Sequence, residues 1–335
     1  MRDLAGWYCY SVVSREGYRV HVRKAVITAA GRGVRLYPVA DTVQKAMLPL
    51  VDRDGLAKPV IQIIAEEALE SGIEEICVVC APGDEDAYRR QFELLHDNLL
   101  ASYRGVDWAQ AQAEKLNNVV RRLRFAPQEE ALGYGHAVYC AREFVGEEPF
   151  LLLLGDHLYV SQVEGRRCAQ QLIDLAVQED CAVAAVQATR EHLVGRYGTL
   201  CGKRVPKYTG AYQIERIIEK PSVSQAELEL YTPGLRAGYF LCFFGMYVLT
   251  PAVFTILKEA VDAAVSGHGD VQLTTALQEL ALRERHLALE VRGVRHDIGS
   301  TFGLLHTQLS LALAGQDREE VLAMLVEVLA ESGKA

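Results

Sequence analysis

Three apolar runs, residues 24–30, 76–80 and 150–154, are each too short for a buried helix. The first breaks off at Gly31-Arg32-Gly33 and the last at Gly155-Asp156. Runs of this length with sharp ends read as strands buried on both faces, which is the habit of parallel sheets covered by helices. The stretches between them have helical periodicity. Residues 60–72 place apolar side chains at 60, 61, 63, 64, 68 and 69 among Glu66, Glu67 and Glu70, and stop at glycine. Residues 86–100, 108–123 and 136–144 read as further helices. Alternating strand and helix predicts a doubly wound α/β sheet, mostly parallel in this half. Right-handed crossovers then gather the ligand-binding loops at the carboxyl ends of the strands.

The second half carries more strand character, at 182–188, 211–219 and 240–249, with helices at 251–265 and 273–283. Residues 302–314 and 318–331 read as two closing helices. No internal repeat or proline-rich linker divides the chain. The expectation is one compact domain with a helical C-terminal tail.

Charge and cysteine content narrow the partners. The 335 residues carry a net charge of −9, which lacks the basic field that a nucleic-acid or anionic-membrane binder requires. A local cluster of cations or a bound metal can still hold a small anion in one cleft. Eight cysteines are too sparse for a disulfide scaffold. Cys77 and Cys80 have the C-x-x-C spacing but fall inside an apparent strand, so they read as reduced, buried thiols. Residues 1–22 have neither the length of a membrane span nor the pattern of a signal peptide. A cytoplasmic protein is expected.

A few positions carry chemistry. Gly31-Arg32-Gly33-Val34-Arg35 follows the first strand. It is either an ordinary tight turn or a loop whose amides approach a phosphate. It lacks the third glycine of a dinucleotide-binding motif, and no Gly-Lys-Ser/Thr of a Walker loop is present. Arg35 and Lys45 nearby would suit a polyphosphate. Asp156, at the end of the most hydrophobic strand, is where a Mg²⁺ ligand is expected, or else a solvated turn aspartate. Asp297, in Arg295-His296-Asp297-Ile298-Gly299, is a second candidate, and His157 reads as a loop histidine. Glu219-Lys220-Pro221 is a surface ion pair, or a lysine for phosphate beside a carboxylate for sugar hydroxyls.

In this order the blocks resemble the nucleoside-diphosphate-sugar pyrophosphorylases, nucleotidyltransferases that act on sugar 1-phosphates. The likeness is strongest to the bacterial UTP–glucose-1-phosphate uridylyltransferase branch. It runs from about residue 24 to 303. The signature Gly-x-Gly-Thr-Arg, Pro, Lys-x-Met-Leu-Pro stands here as Gly31-Arg32-Gly33-Val34-Arg35, Pro38 and Lys45-Ala46-Met47-Leu48-Pro49. The series continues through Lys58-Pro59-Val60-Ile61-Gln62, residues 128–137 and Gly155-Asp156. It closes with Arg196-Tyr197-Gly198, Glu219-Lys220-Pro221, Gln272-Leu273-Thr274 and His296-Asp297-x-Gly299. Val34 replaces the family's threonine, Ala46 the branch's usual glutamate and Gly155 its usual proline. Residues 53–57 look like an insertion.

The resemblance implies a Rossmann-like, doubly wound mixed sheet of GT-A-like nucleotidyltransferase type. It sets residues 24–303 as the catalytic domain, 1–23 as an N-terminal extension and 304–335 as a helical tail. The implied reaction joins UTP and glucose 1-phosphate into UDP-glucose and pyrophosphate by in-line attack on the α-phosphorus. Arg35, Lys45, Asp156 and Lys220 would be catalytic. Ala30, Gly31, Gly33, Val34, Gln128, Gly133 and Gly135 would hold the nucleotide. His157, Gly198, Glu219 and Lys220 would hold the sugar phosphate, and Asp156 and Asp297 would bind Mg²⁺. A homo-oligomer is implied. The alternatives are dTTP or CTP with another sugar phosphate, and a regulatory sugar-nucleotide-binding homologue.

Overall fold

A computed structural model describes residues 21–31, 33, 43–267 and 269–332. The first twenty residues of the expected N-terminal extension, together with Val34, Arg35 and Pro38, lie outside the described residues. In chain order the elements begin β1 (Lys24–Thr28), β2 (Pro49–Val51), β3 (Ala57–Pro59), α1 (Val60–Leu69), β4 (Glu75–Cys80), α2 (Asp84–Ser102) and α3 (Asp107–Arg122). They continue β5 (Leu123–Pro127), α4 (Tyr134–Cys140), α5 (Arg142–Val145), β6 (Phe150–Leu154), β7 (His157–Ser161), α6 (Cys168–Glu179) and β8 (Ala182–Arg190). Next come β9 (Thr199–Arg204), β10 (Ala211–Ile218), α7 (Val223–Glu229), β11 (Tyr239–Leu249), α8 (Ala252–Val265) and α9 (Leu273–Arg283). The chain closes with β12 (His286–Glu290), β13 (Gly293–Asp297), α10 (Gly303–Leu313) and α11 (Arg318–Ser332).

Nine strands form one sheet in the order β5-β4-β1-β6-β11-β8-β12-β10-β9. The first-half strands β5, β4, β1 and β6 pair in parallel, as the strand–helix alternation predicts. From β11 onward antiparallel pairings enter, so the whole is a mixed α/β sheet. The carboxyl ends of β1 and β6 are neighbours, while the chain leaves β1 toward β4 on the other side. That reversal opens a crevice at a topological switch point.

The strands are buried on both faces, which explains their unbroken hydrophobicity. Ala25 and Ile27 of β1, Ile76 and Val78 of β4, and Leu151 and Leu153 of β6 enter one core with α1, α2, α3 and α6. Their alternates Val26, Cys77, Val79, Phe150 and Leu152 enter the opposite core with α4, α8 and α9. Each fully buried leucine contributes about 2 kcal/mol of apolar transfer, so β6 alone anchors both layers. Cys77 and Cys80 are free and buried, and loss of hydration pushes both thiols up to about 12.

Some boundaries differ from the sequence reading. The helix expected through Leu123 stops at Arg122, because residues 123–127 pair with β4. The single helix expected over 136–144 is two short helices meeting at Ala141. His157 is not in a loop but opens strand β7.

Of residues 53–57, the first four lie in the tip of the β2–β3 hairpin and Ala57 opens β3. Beneath the tip the Lys58 ammonium is buried against three carboxylates, Asp52 at 2.9 Å, Asp54 at 2.7 Å and Glu66 at 2.9 Å. Gln308 of α10 bonds Val51 through both ends of its carboxamide, accepting from its N–H and donating to its carbonyl. The Gln316 N–H donates to the Arg53 carbonyl.

Candidate active site

The parallel strands deliver their loops to one edge, and hydrogen bonds lace those loops together. Gly155 N donates to Thr28 O at 2.8 Å, Ala29 N to Val79 O at 2.7 Å, and Gln128 N to Cys80 O at 2.9 Å. Ala30 and Gly31, which follow Thr28 and Ala29, therefore leave the sheet at the same edge as Gly155-Asp156. Val34 and Arg35, expected on the triphosphate, lie outside the described residues.

Lys45 reaches across this edge, with Nζ 2.6 Å from Asp156 Oδ2, and both side chains are mostly buried. Antiparallel pairing of β7 with β13 sets His157 directly opposite Asp297. The Ile298 N–H donates to Asp156 O at 3.0 Å, and the Gly299 N–H donates to Asp297 Oδ1 at 2.8 Å. Ligand atoms of Asp156, His157 and Asp297 lie within 4.8 Å of one another. Two carboxylates at that spacing suit a hard divalent cation that completes its shell with water and phosphate oxygens. Burial holds the His157 imidazole neutral, its pKa down at about 4. It therefore adds no positive charge against a cation.

A cleft of about 1200 Å³ opens from these residues. Five of the sequence blocks converge on it, through Asp156, Gly198, Glu219, Gln272 and Asp297 among others. Their positions in the chain are far apart; the sheet order brings them together. Lys220 Nζ lies 3.3 Å from Glu219 Oε1. The Lys220 backbone sits at φ 44°, a left-handed conformation costing about 1–2 kcal/mol in a non-glycine residue. Such strain persists where surrounding contacts fix it, often at functional sites. Gly198 is required by close approach, since a Cβ there would lie 2.7 Å from Thr274 Cγ2 and 2.8 Å from the Phe243 ring.

The expected nucleotide residues after β5 are placed differently. Gln128 Nε2 donates to Gly133 O at 3.2 Å, bracing its own loop, and Gly135 N donates to Val271 O at 2.8 Å. Tyr134 between them faces the cleft, whereas Gln128, Gly133 and Gly135 are not among the described residues lining it. The same holds for Ala30, Gly31, Gly33 and Lys45, of which Lys45 contacts the cleft residue Asp156.

Sequence reasoning did not single out Arg295, Phe243, Gly245 or Tyr247, all of which line the cleft. Gly245 carried a signal, a glycine inside an otherwise apolar strand, which marks a bulge or a close approach. It is both. The β11–β8 register shifts between Phe243 and Tyr247, and a Cβ on Gly245, at φ 84°, would lie 2.5 Å from His157 Nδ1.

Among the described residues no helix is long and apolar enough to cross a membrane. Comparison with known proteins agrees with the geometry. A family model described as nucleotidyl transferase matches residues 24–312. The chain is 35% identical over 316 residues to a Bacillus subtilis protein named UTP–glucose-1-phosphate uridylyltransferase, covering 92% of this chain and 97% of that one. A Streptococcus pneumoniae protein of the same name is 35% identical over 87% of this chain and 91% of its own length. Among solved structures, a UTP-bound UGPase from Acinetobacter baumannii superposes with a TM-score of 0.72 at 27% identity, covering 92% of this chain and 99% of its own. A UDP-glucose pyrophosphorylase complexed with UDP-glucose gives 0.69 at 27% identity over 87% and 98%. With the match spanning the sheet, its carboxyl-edge loops and the cleft, this chain belongs to the nucleotidyl transferase family.

Proposed function

We propose that the chain is a UTP–glucose-1-phosphate uridylyltransferase, converting UTP and glucose 1-phosphate to UDP-glucose and pyrophosphate. The observation that carries this is the convergence of Asp156, Asp297, Glu219 and Lys220 on one cleft at the sheet's switch point. The names of the relatives at 35% identity supply the substrate pair.

In this reading the β1 loop (Ala30, Gly31, Gly33, Val34), with Arg35 and Lys45, takes the triphosphate. Gln128 and the backbone at Gly133 and Gly135 present hydrogen-bonding groups to the pyrimidine edge. Glu219 accepts from sugar hydroxyls, while Lys220, His157 and Gly198 bound the sugar-phosphate side. Asp156 and Asp297 would hold Mg²⁺, which when bound supplies charge neutralisation at the α-phosphate. An oxygen of the sugar phosphate attacks the α-phosphorus in line, a new P–O bond forms, and the bond to the β-phosphate breaks to release pyrophosphate. Positioning and charge neutralisation suffice for such a transfer, and no side-chain nucleophile is needed.

The wider proposal is a GT-A-like, doubly wound catalytic unit over 24–303, with residues 1–23 as an extension and 304–335 as a helical tail. It acts in the cytoplasm as a homo-oligomer. Pyrophosphate release should require Mg²⁺, UTP and glucose 1-phosphate together. Equal turnover with dTTP or CTP overturns the uracil assignment. Tight UDP-glucose binding without exchange of labelled pyrophosphate means a regulatory binder instead.

A further inference from the structure

The proposed reaction employs Lys45 and Lys220 and leaves the Arg295 guanidinium without a task. Lys45 and Lys220 each face a carboxylate, Asp156 and Glu219. Arg295 makes no ion pair among the described residues, although it is half-buried in the wall of the cleft. It is nevertheless held in place. Nη1 donates to Phe243 O at 2.8 Å, and the guanidinium lies 4.3 Å over the Tyr197 ring. Arg196, another cation on that wall, is exposed and has no such anchors among the described residues.

A partly dehydrated guanidinium with unused donors is costly until an anion completes it. Its planar fork matches phosphate oxygens. The position selects which phosphate. Arg295 stands two residues before Asp297 on β13, so both side chains share one face of the strand. Its two anchors belong to the wall that carries Gly198 and Glu219, since Phe243 N donates to Gly198 O at 2.9 Å. Lys45 and the end of β1 approach Asp156 from another side, Lys45 through its ion pair and Thr28 through its carbonyl, which accepts from Gly155 N.

We infer that Arg295 binds the phosphate of the sugar 1-phosphate, holding the attacking group between itself and the Asp156–Asp297 pair. This deepens the proposed function and rests on it for the substrate class. Phosphate recognition by Arg295 adds to the positive charge of Lys220 and leaves UTP binding untouched.

The test is steady-state kinetics of Arg295→Gln and Arg295→Lys over a grid of UTP and glucose 1-phosphate. Loss of a charged hydrogen-bond pair should raise KM for glucose 1-phosphate about 10–100-fold in Arg295→Gln, with KM for UTP changing less than about 3-fold. Arg295→Lys should fall between. Equal rises in both KM values with a lowered melting temperature mean a packing role and overturn the inference, as does an unchanged KM for glucose 1-phosphate. If the wild type prefers another nucleotide–sugar pair, the substrate assignment fails alone, and Arg295 is judged on the KM of that sugar phosphate. If no pair turns over, calorimetry with glucose 1-phosphate and with glucose decides. Loss of the preference for the phosphate ester in Arg295→Gln supports the inference, and a retained preference overturns it.

Discussion

Lys45 Nζ lies 2.6 Å from Asp156 Oδ2, so the turn before β2 is tied by charge to the end of β6. One of the two carboxylates of the candidate cation site is thus already oriented by an ammonium. Two positive centres, one fixed by the chain and one recruited, can then share a single aspartate when a polyphosphate arrives.

Asp156→Asn keeps the shape but removes the charge from that arrangement. Turnover should fall at least ~100-fold, the scale of losing one main source of transition-state charge stabilisation. Pyrophosphate release, with circular dichroism to confirm folding, measures it. Near-wild-type activity would exclude the metal and ion-pair roles together. Chelation of the wild type with EDTA should abolish turnover, and added Mg²⁺ should restore it.

Gly245→Ala forces a methyl group to within 2.5 Å of His157 Nδ1 at a backbone φ of 84°. The left-handed strain alone is worth about 1–2 kcal/mol, and displacement of the imidazole adds to it. Urea unfolding should show a lowered midpoint, and turnover should fall with it. A variant as stable and active as wild type would mean that the bulge in β11 relaxes freely.

Lys58→Met should be among the most destabilising single changes. It would strand Asp52, Asp54 and Glu66 around a missing ammonium, and breaking one side of a buried ion pair typically costs about 3–5 kcal/mol. A thermal melt checks this. A shift no larger than that of an exposed lysine variant would show that the cluster is hydrated.

His286 makes a pH prediction away from the cleft. It is fully buried, and burial lowers its pKa from the usual 6.5 to about 4. The unfolded chain therefore binds the proton more readily. The contribution to stability is fully present above about pH 6.5 and disappears as pH falls toward 4, worth about 3 kcal/mol across that window. His286→Leu should flatten the loss of stability between those values in urea titrations. An unchanged pH slope would assign acid sensitivity to other titrating groups, such as the Asp52 carboxylate.

Much of this fold was legible because β1, β4 and β6 are apolar on both faces, and β1 and β6 run into glycine-bearing loops. The strands β5, β7, β9, β12 and β13 were not. Leu-Arg-Phe-Ala-Pro of β5 continues the pattern of α3 without a break, and β7 and β13 are half-polar because they carry His157, Arg295 and Asp297. The cleft residues were found as ordered blocks, and their convergence required the sheet order, which no local pattern encodes. Arg295 went unnoticed for a related reason. Beside Asp297 in sequence it looks like any surface arginine, and only Tyr197 and Phe243, from distant segments, set it apart.

The contact between Gln308 and the β2–β3 hairpin has a consequence for how copies of the chain meet one another. The outward edge of β2 offers donors at alternate positions, which here are Pro49 and Val51. Proline has no N–H to give, and the Val51 N–H and carbonyl are both occupied by the Gln308 carboxamide. A strand from a neighbouring molecule finds no free backbone donor there. The side chain of one helix thus closes an exposed sheet edge against aggregation.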